Sequence, residues 1–536
     1  MKPADNRRKQ GLTSRDEALI LNRLPSLHQA KPGATVDLIV ISVYILSMVG
    51  VGWWATRRAT SQSDFLVAGR RLGPVLYSGT MAAIVLGGAS TIGGVGLGYE
   101  YGISGMWLVF FIGCGILLLS FAFAGRINRL GVYTVSQMLE LRFGPGSSVL
   151  SGVVMWGYTL MLAVTSTIAY GTVFGVLFDW GKVPSILFGG GVVVLYSVLG
   201  GMWSITLTDF VQFIIKTVGI FFILLPVVLV EAGGLGGLRD GLPASAFDLT
   251  TIGTGTMVTY FVIYFFGLVI GQDIWQRVFT ARSEAVAKWA GTVAGVYCLL
   301  YAVAGALIGM GAAVLVPGLA SRDDAYPEVV QAVLPVGLSG LVIAAALAAI
   351  MSTSSGALIA TATVAKEDIV GGVTARTARR SASAAGPGAT GHGAAPAVSD
   401  HDEVRNCRSY VLGFGVLVIA IACLLQDVVA ALTIAYDILV GGLLVAILGG
   451  LLWRRGTNAG ALASIAVGTV LTLGTMAVLG DIYANEPIFA GLAGSLLAFV
   501  VVSLATPPTE PSILAAWDER VSRARAEAPA ADRAPV

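Results

Sequence analysis

The sequence predicts an all-α integral membrane protein, and three observations carry that prediction. Of its 536 residues, 56% are hydrophobic and only 12% are charged. Apolar runs of about 20 residues, the length that crosses a bilayer as a helix, recur from end to end. Those runs, IIKTVGIFFILLPVVLV among them, do not alternate apolar with polar residues as the strands of a membrane barrel would. The net charge of +2 gives no footing for a nucleic-acid partner, because the basic residues lie between the apolar runs and form no patch.

The runs number thirteen, at about 36–56, 74–99, 104–125, 147–178, 184–201, 205–231, 254–280, 285–316, 336–369, 407–425, 428–453, 458–480 and 486–505. Before them, residues 1–35 hold seven Lys and Arg but no apolar core, so they read as a tail and not as a signal peptide. Residues 371–406 are Gly, Ala, Ser and Pro with scattered charge, too little apolar surface to fold, and are expected to form a flexible cytoplasmic loop. A second cytoplasmic tail is expected over 507–536, leaving 36–506 as the membrane-spanning domain. Lys and Arg concentrate in the connections after the odd-numbered spans, which puts that side and the C-terminus in the cytoplasm. With an odd number of spans the N-terminus then lies outside the cell membrane, although the basic tail argues the other way.

The second span is unusual. SGTMAAIVLGGASTIGGVGLGY carries six glycines between Gly87 and Gly98, and each costs a helix interior roughly 1 kcal/mol relative to Ala. A break near Leu86-Gly87-Gly88 is therefore expected, and irregular backbone at membrane depth survives only where protein or a water-filled cavity satisfies it. Five spans later, TYFVIYFFGLVIGQDIWQR has glycines at 267 and 271. Paired breaks at equivalent positions point to an inverted repeat with a binding site at its interface. The units would be about 74–231 and 254–453. Close helix packing is the alternative use of the same glycines.

In the ninth span, small apolar residues give way to MSTSSG. Ala349, Ser352 and Thr353 stand at i, i+3 and i+4, which puts a carbonyl and two hydroxyl oxygens on one helical face. Oxygen-only ligation suits a hard cation, and the lack of a carboxylate favours a monovalent one. Alternatively, the hydroxyls bond back to the i−4 carbonyl and only bend the helix. The four cysteines are too dispersed for a metal or disulfide framework. His28, His392 and His401 all fall outside the spans, which leaves no imidazole for an intramembrane proton relay.

Five ordered stretches carry a family resemblance: SQSDFLVAGRRLGP with the glycine-rich span and YEYG (61–102), LGGMWSITLTDFVQ (199–212), GQDIWQRVFTARSEAVAKWA (271–290), MSTSSGALIATATVAKEDI and WRRGTNAGALASIAVG. Together they resemble the sodium:solute symporter family over about residues 38–480. The resemblance implies a LeuT-type fold of 5+5 inverted repeats, with one extra helix at the N-terminal end and two at the C-terminal end. It also implies sodium as the coupling ion, bound by the carbonyls of Ala83, Leu86 and Ala349 and the hydroxyls of Ser352 and Thr353. One sodium per cycle follows, since Ser355 stands without an acid where some members have a second ion site. Solute-facing positions carry over to Val85, Gly88, Ser90, Tyr264, Gly267 and Leu268. Val85 occupies the place where proline-type members have an acid, sugar members an amide and choline members an aromatic, so it matches none of them. Gly271 replaces another aromatic of the choline branch, although Asp437 resembles an acid found there and is a further solute candidate.

Ionisable residues inside spans are functional candidates. Asp209 and Lys216 share one stripe of the sixth span, with Lys216 about 10 Å deeper at 1.5 Å per residue. Gln272, Asp273 and Arg277 close the seventh span and read as a gate network. The chain is thus expected to be a symporter that couples sodium entry to import of a small solute, a monocarboxylate or an amino acid, with no other cofactor and a monomeric transport unit in the bilayer. Proton coupling on the same fold is the alternative. A transporter-like solute sensor is a second one. An enzyme is disfavoured because the spans contain no nucleophile with a base and no metal cluster.

Overall fold

The computed structural model describes residues 34–522, apart from 179, 376, 378–398, 426 and 482–483. The expected N-terminal tail, most of the 371–406 loop and the last residues of the C-terminal tail therefore lie outside the described residues. Within them the elements are helices, with one isolated pairing between Leu72 and Ala281.

Helix α1 (Ala34–Ala55) precedes a helix that is broken in two: α2 (Pro74–Val85) stops at Leu86, and α3 resumes at 89–101. Then come α4 (107–129), α5 (Ser147–Phe178), and the run Lys182–Glu231, which Gly201 (φ 54°) turns sharply into α6 (182–200) and α7 (202–231). A second broken helix follows, α8 (254–270) and α9 (Gln272–Thr280), with Gly271 extended between them (ψ 132°). The chain continues with α10 (Glu284–Leu315), α11 (338–370), α12 (Asp400–Ala422), α13 (Val428–Leu452), α14 (Asn458–Leu479) and α15 (Glu486–Ala505). Eleven helical runs among the described residues are long and apolar enough to cross a membrane. The thirteen expected spans fall on these because α3 runs on into α4 and α6 into α7, while α2 alone is short.

The two halves each open on a broken helix, and the breaks face each other through the middle of the bundle. The second break sits at Gly271 only. At Gly267 the helix continues, and the glycine serves a close approach instead: a Cβ there would fall within the Tyr436 ring of α13. Around the breaks, small residues set the spacing of the helices. A Cβ on Gly309 of α10 would meet the Val95 carbonyl of α3, and one on Gly98 would lie 2.7 Å from the Ala306 carbonyl. At the centre is α11, whose AAALAAIMSTSSGALIA stretch is buried throughout. Its Ala and Ser side chains let α5, α6 and α7 pack directly on it.

At the end of the bundle where the basic connections gather, the chain entering α2 pairs with the chain leaving α9. Leu72 N donates to Thr280 O (3.0 Å), and Arg282 N donates to Leu72 O (3.0 Å). The short helix Val135–Phe143 packs at the same end. Its Arg142 is buried and donates to the carbonyls of Gly450, Trp453 and Arg454 (2.9–3.1 Å), which satisfies the C-terminal end of α13. The flanks of the 371–406 segment are helical at 371–375 and from Asp400, which Ser399 caps. Part of the C-terminal tail is also helical, Pro511–Ser522, where Trp517 is buried and Arg454 meets Asp518 (2.6 Å).

Replacing Arg142 by Ala leaves buried carbonyls without donors, a loss of about 1.5–3 kcal/mol for bonds to a charged group. The thermal unfolding midpoint of detergent-solubilised protein is expected to fall. An unchanged midpoint would show that water fills the gap without penalty.

Candidate functional site

The break between α2 and α3 leaves the carbonyls at its edge without helical donors, and three side chains from two other helices supply them. Lys216, buried on α7, directs its Nζ at the carbonyls of Ala83 (3.0 Å), Leu86 (3.2 Å) and Ala82 (3.4 Å). From α11, Ser352 Oγ lies 2.9 Å from both the Ala83 and the Ala349 carbonyl oxygens, and Thr353 Oγ1 donates to Ile84 O. Gly87 makes that last bond possible, since any Cβ would land on Thr353 Oγ1. The five oxygens expected to hold sodium, those of Ala83, Leu86, Ala349, Ser352 and Thr353, thus do converge. Each already has a partner.

On the other side of the break is a small cavity of about 20 Å³, room for roughly one water. Val85, Ser90 and Leu268 line it as expected. So do Thr165 and Ser166 of α5 and Tyr436 of α13, which the sequence reading missed. Ser90 turns its hydroxyl to Val85 O (3.1 Å). Gly88 packs on Ala169 and Ser166 beside the cavity, where a Cβ would lie 2.8 Å from that of Ala169. Tyr264 and Gly267 stand one layer back, behind Tyr436: the two tyrosine rings meet edge to face with centroids 5.3 Å apart, and Tyr264 Oη shares a hydrogen bond with Thr433 (3.2 Å). Asp437 is buried with its Oδ1 unpartnered among the described residues, and it does not line the cavity. No regular spacing links Tyr436, Thr165 and Ser166; the one signal for Tyr436 was its place beside Asp437.

Below the cavity the expected gate residues are all buried, but only Arg277 and Asp209 join in one network, with Asp273 and Gln272 bonded elsewhere. Arg277 Nη2 pairs with Asp209 Oδ2 at 3.0 Å, both side chains 0% exposed. Thr80 of α2 joins them, donating to the same Asp209 oxygen (2.6 Å) and accepting from Arg277 Nε (3.2 Å). Asp273 belongs to the cavity lining and accepts from Tyr158 of α5 (2.8 Å). Gln272 holds both the Tyr133 carbonyl (3.0 Å) and the Val135 amide (2.8 Å) of the connection after α4. Lys216 is absent from this network, although it shares a helix face with Asp209.

Residues 65–386, more than half of the chain, match the sodium:solute symporter family. The chain belongs to that family. Its relatives include the high-affinity proline transporter PutP of Bacillus subtilis, 27% identical over 482 residues that cover 86% of this chain and 96% of that protein. The sodium/glucose cotransporter of Vibrio parahaemolyticus is 23% identical, with 80% and 83% covered. Among solved structures, a Na⁺-coupled sialic acid symporter superposes with a TM-score of 0.70 at 16% identity, covering 89% of this chain and 99% of that one. A nucleobase-cation-symport-1 family transporter in a closed conformation reaches 0.50 at 15%, covering 85% and 98%. These likenesses establish the LeuT-type fold that the symporter motifs imply, and with it a multi-pass membrane protein of a transporter family.

Removing the guanidinium with Arg277→Met strands the Asp209 carboxylate in a dry interior, a change expected to cost about 3–5 kcal/mol. Adding Asp209→Asn to the same chain should recover most of the lost thermal stability. A double variant no more stable than Arg277→Met would show that the pair is not the source.

Proposed function

We propose that this chain is a secondary active symporter of the cell membrane that imports a small organic solute by alternating access. The observation that carries the reading is the pair of breaks, at Leu86–Gly88 and at Gly271, flanking one buried cavity. Broken helices meeting at mid-membrane create polar ends that can hold solute and coupling cation side by side. The cytoplasmic end is sealed by the Arg277–Asp209–Thr80 network, and the cavity is too small for a solute. Transport then requires the helices around the breaks to rock apart, first on one face and then on the other, with the C-terminus cytoplasmic and the N-terminus outside. The solute-facing set is Val85, Gly88, Ser90 and Leu268 with Tyr436 added, while Tyr264, Gly267 and Asp437 shape it from behind.

The lining favours an amino acid over a plain monocarboxylate. Val85, Leu268 and Ile84 offer an apolar wall, Ser90, Thr165 and Ser166 offer hydroxyls, and Asp273 is the charged side chain of the lining. A carboxylate there suits a solute with an ammonium group, which a monocarboxylate lacks. That PutP of Bacillus subtilis transports proline, an amino acid, agrees with this choice.

Two measurements test the reading. In proteoliposomes holding the full chain, amino acids are expected to accumulate against their gradient when a cation gradient is imposed, sodium at constant pH or protons without sodium. Solute binding without accumulation under either gradient would instead indicate a sensor. In a thermal-shift panel, an amino acid should stabilise the purified protein more than the 2-oxo acid of the same side chain, and Leu268→Trp, which fills the cavity, should abolish that stabilisation. Equal stabilisation by both acids would remove Asp273 as the discriminating group.

A further inference from the structure

We propose that Lys216, as an ammonium, holds the place of the coupling sodium, so that the site between α2 and α11 binds no sodium in this chain. The inference rests on reading the α2–α3 break as the ion end of a symporter site. It deepens that reading by assigning the cation.

The geometry matches an ammonium group by count and position. Nζ has three protons, and three carbonyls, Ala82, Ala83 and Leu86, stand 3.0–3.4 Å away. Two of these, Ala83 and Leu86, are among the three carbonyls that a sodium ion would use. The third, Ala349 O, is within hydrogen-bond distance of Ser352 Oγ, and Thr353 gives its hydroxyl proton to Ile84 O. A metal ion needs the oxygen lone pairs turned toward it, and Ala83 O and Leu86 O already turn theirs to Nζ. The donor set is closed around a cation already present. A sodium ion entering beside Nζ would also meet a like charge within about 4 Å, in surroundings where water does little to screen it.

Lys216 has no other evident task. The titratable groups that face it are the Cys298 thiol from α10 and Asp209 from its own helix, and Asp209 is committed to Arg277 and Thr80. From α1, Tyr44 directs its hydroxyl to Met351 Sδ (3.4 Å). At this level α2 and α11 present only carbonyls and hydroxyls. Among the described residues the ammonium makes no ion pair; its charge is balanced by backbone dipoles, as that of a bound metal ion would be. The side chain is buried, so this is not a surface lysine folded inward.

A tethered cation also changes what is tied together. Free sodium would bridge α2 to α11 and could leave toward the cytoplasm. Lys216 ties α2 to α7, and its four-carbon stem prevents departure. The hydroxyls of Ser352 and Thr353 make the α2–α11 contact directly.

The test uses purified full-length protein and sodium alone as probe. Thermal unfolding is followed at fixed pH and ionic strength while sodium chloride replaces choline chloride, with potassium chloride as control. The wild-type midpoint should not respond to sodium. Lys216→Ala should unfold at a lower temperature in choline and gain a saturable, sodium-specific rise, on the order of 5 °C, because the carbonyls are now open to the ion. A saturable sodium-specific rise in the wild type that Thr353→Ala removes would overturn the proposal. So would a folded Lys216→Ala protein indifferent to sodium. Should that variant fail to fold, binding of radioactive sodium to the wild type decides alone: saturable binding lost in Thr353→Ala overturns the inference, and no binding sustains it. Failure of the symporter reading shows differently. Vesicles that accumulate no solute under any cation gradient would refute transport and leave the sodium measurement standing.

Discussion

An interrupted helix in the middle of a membrane must find hydrogen-bond donors for the carbonyls it frees, and the bundle is arranged around that need. At Ala82, Ala83, Ile84 and Leu86 the donors come from Lys216 on α7 and from Ser352 and Thr353 on α11. The arrangement fixes which helices may surround α2 and how closely. Thr353 reaches Ile84 only because Gly87 has no side chain, and α11 approaches closely because five of the eight residues before Ser352 are Ala. The lysine contact, the cavity beside the break and the core packing are thus consequences of one stretch of unpaired backbone.

The polar groups deeper in the protein obey the same rule with less margin. Arg277 is buried with its guanidinium shared among Asp209, Thr80 and Met202. A buried pair of this kind adds little net stability over an apolar replacement, but losing one partner is severe. It therefore specifies how α2, α7 and α9 meet more than it strengthens the fold. Separating those helices requires an alternative partner for each charge, which water entering from that end of the bundle would provide.

Much of this was legible in the sequence, and the failures have physical reasons. Hydropathy located the helices, and glycine cost located the break at Leu86–Gly88, because both are properties of a local stretch. Gly267 misled for the same reason: locally it resembles a break, yet its role is to admit the Tyr436 ring from a helix some 170 residues away. The family motifs named five oxygens that converge at the break, while helical spacing put Lys216 on one stripe with Asp209. Spacing gives the face of a helix, not where a four-carbon side chain ends across an interface. Two separate sequence readings, a cation site and an orphan lysine, described one place. Tyr436, Thr165 and Ser166 were missed because they enter the cavity from helices whose register depends on the whole bundle.

The short helix Val135–Phe143 is held at both ends by the second half of the molecule, at its start by Gln272 of α9 and near its finish by the α13 carbonyls that its own Arg142 reaches. Yet its chain connections run to α4 and α5, in the first half. On the α4 side the joint contains Gly131 (φ 69°), and on the α5 side Gly144 and Gly146 (φ 100° and 114°), conformations that favour glycine. The segment is thereby a coupling rod with a pivot at each end. Its bonds to α9 and α13 tie the α4–α5 connection to the second half, so a rotation between the two would fall on these three glycine joints and not on the helices themselves.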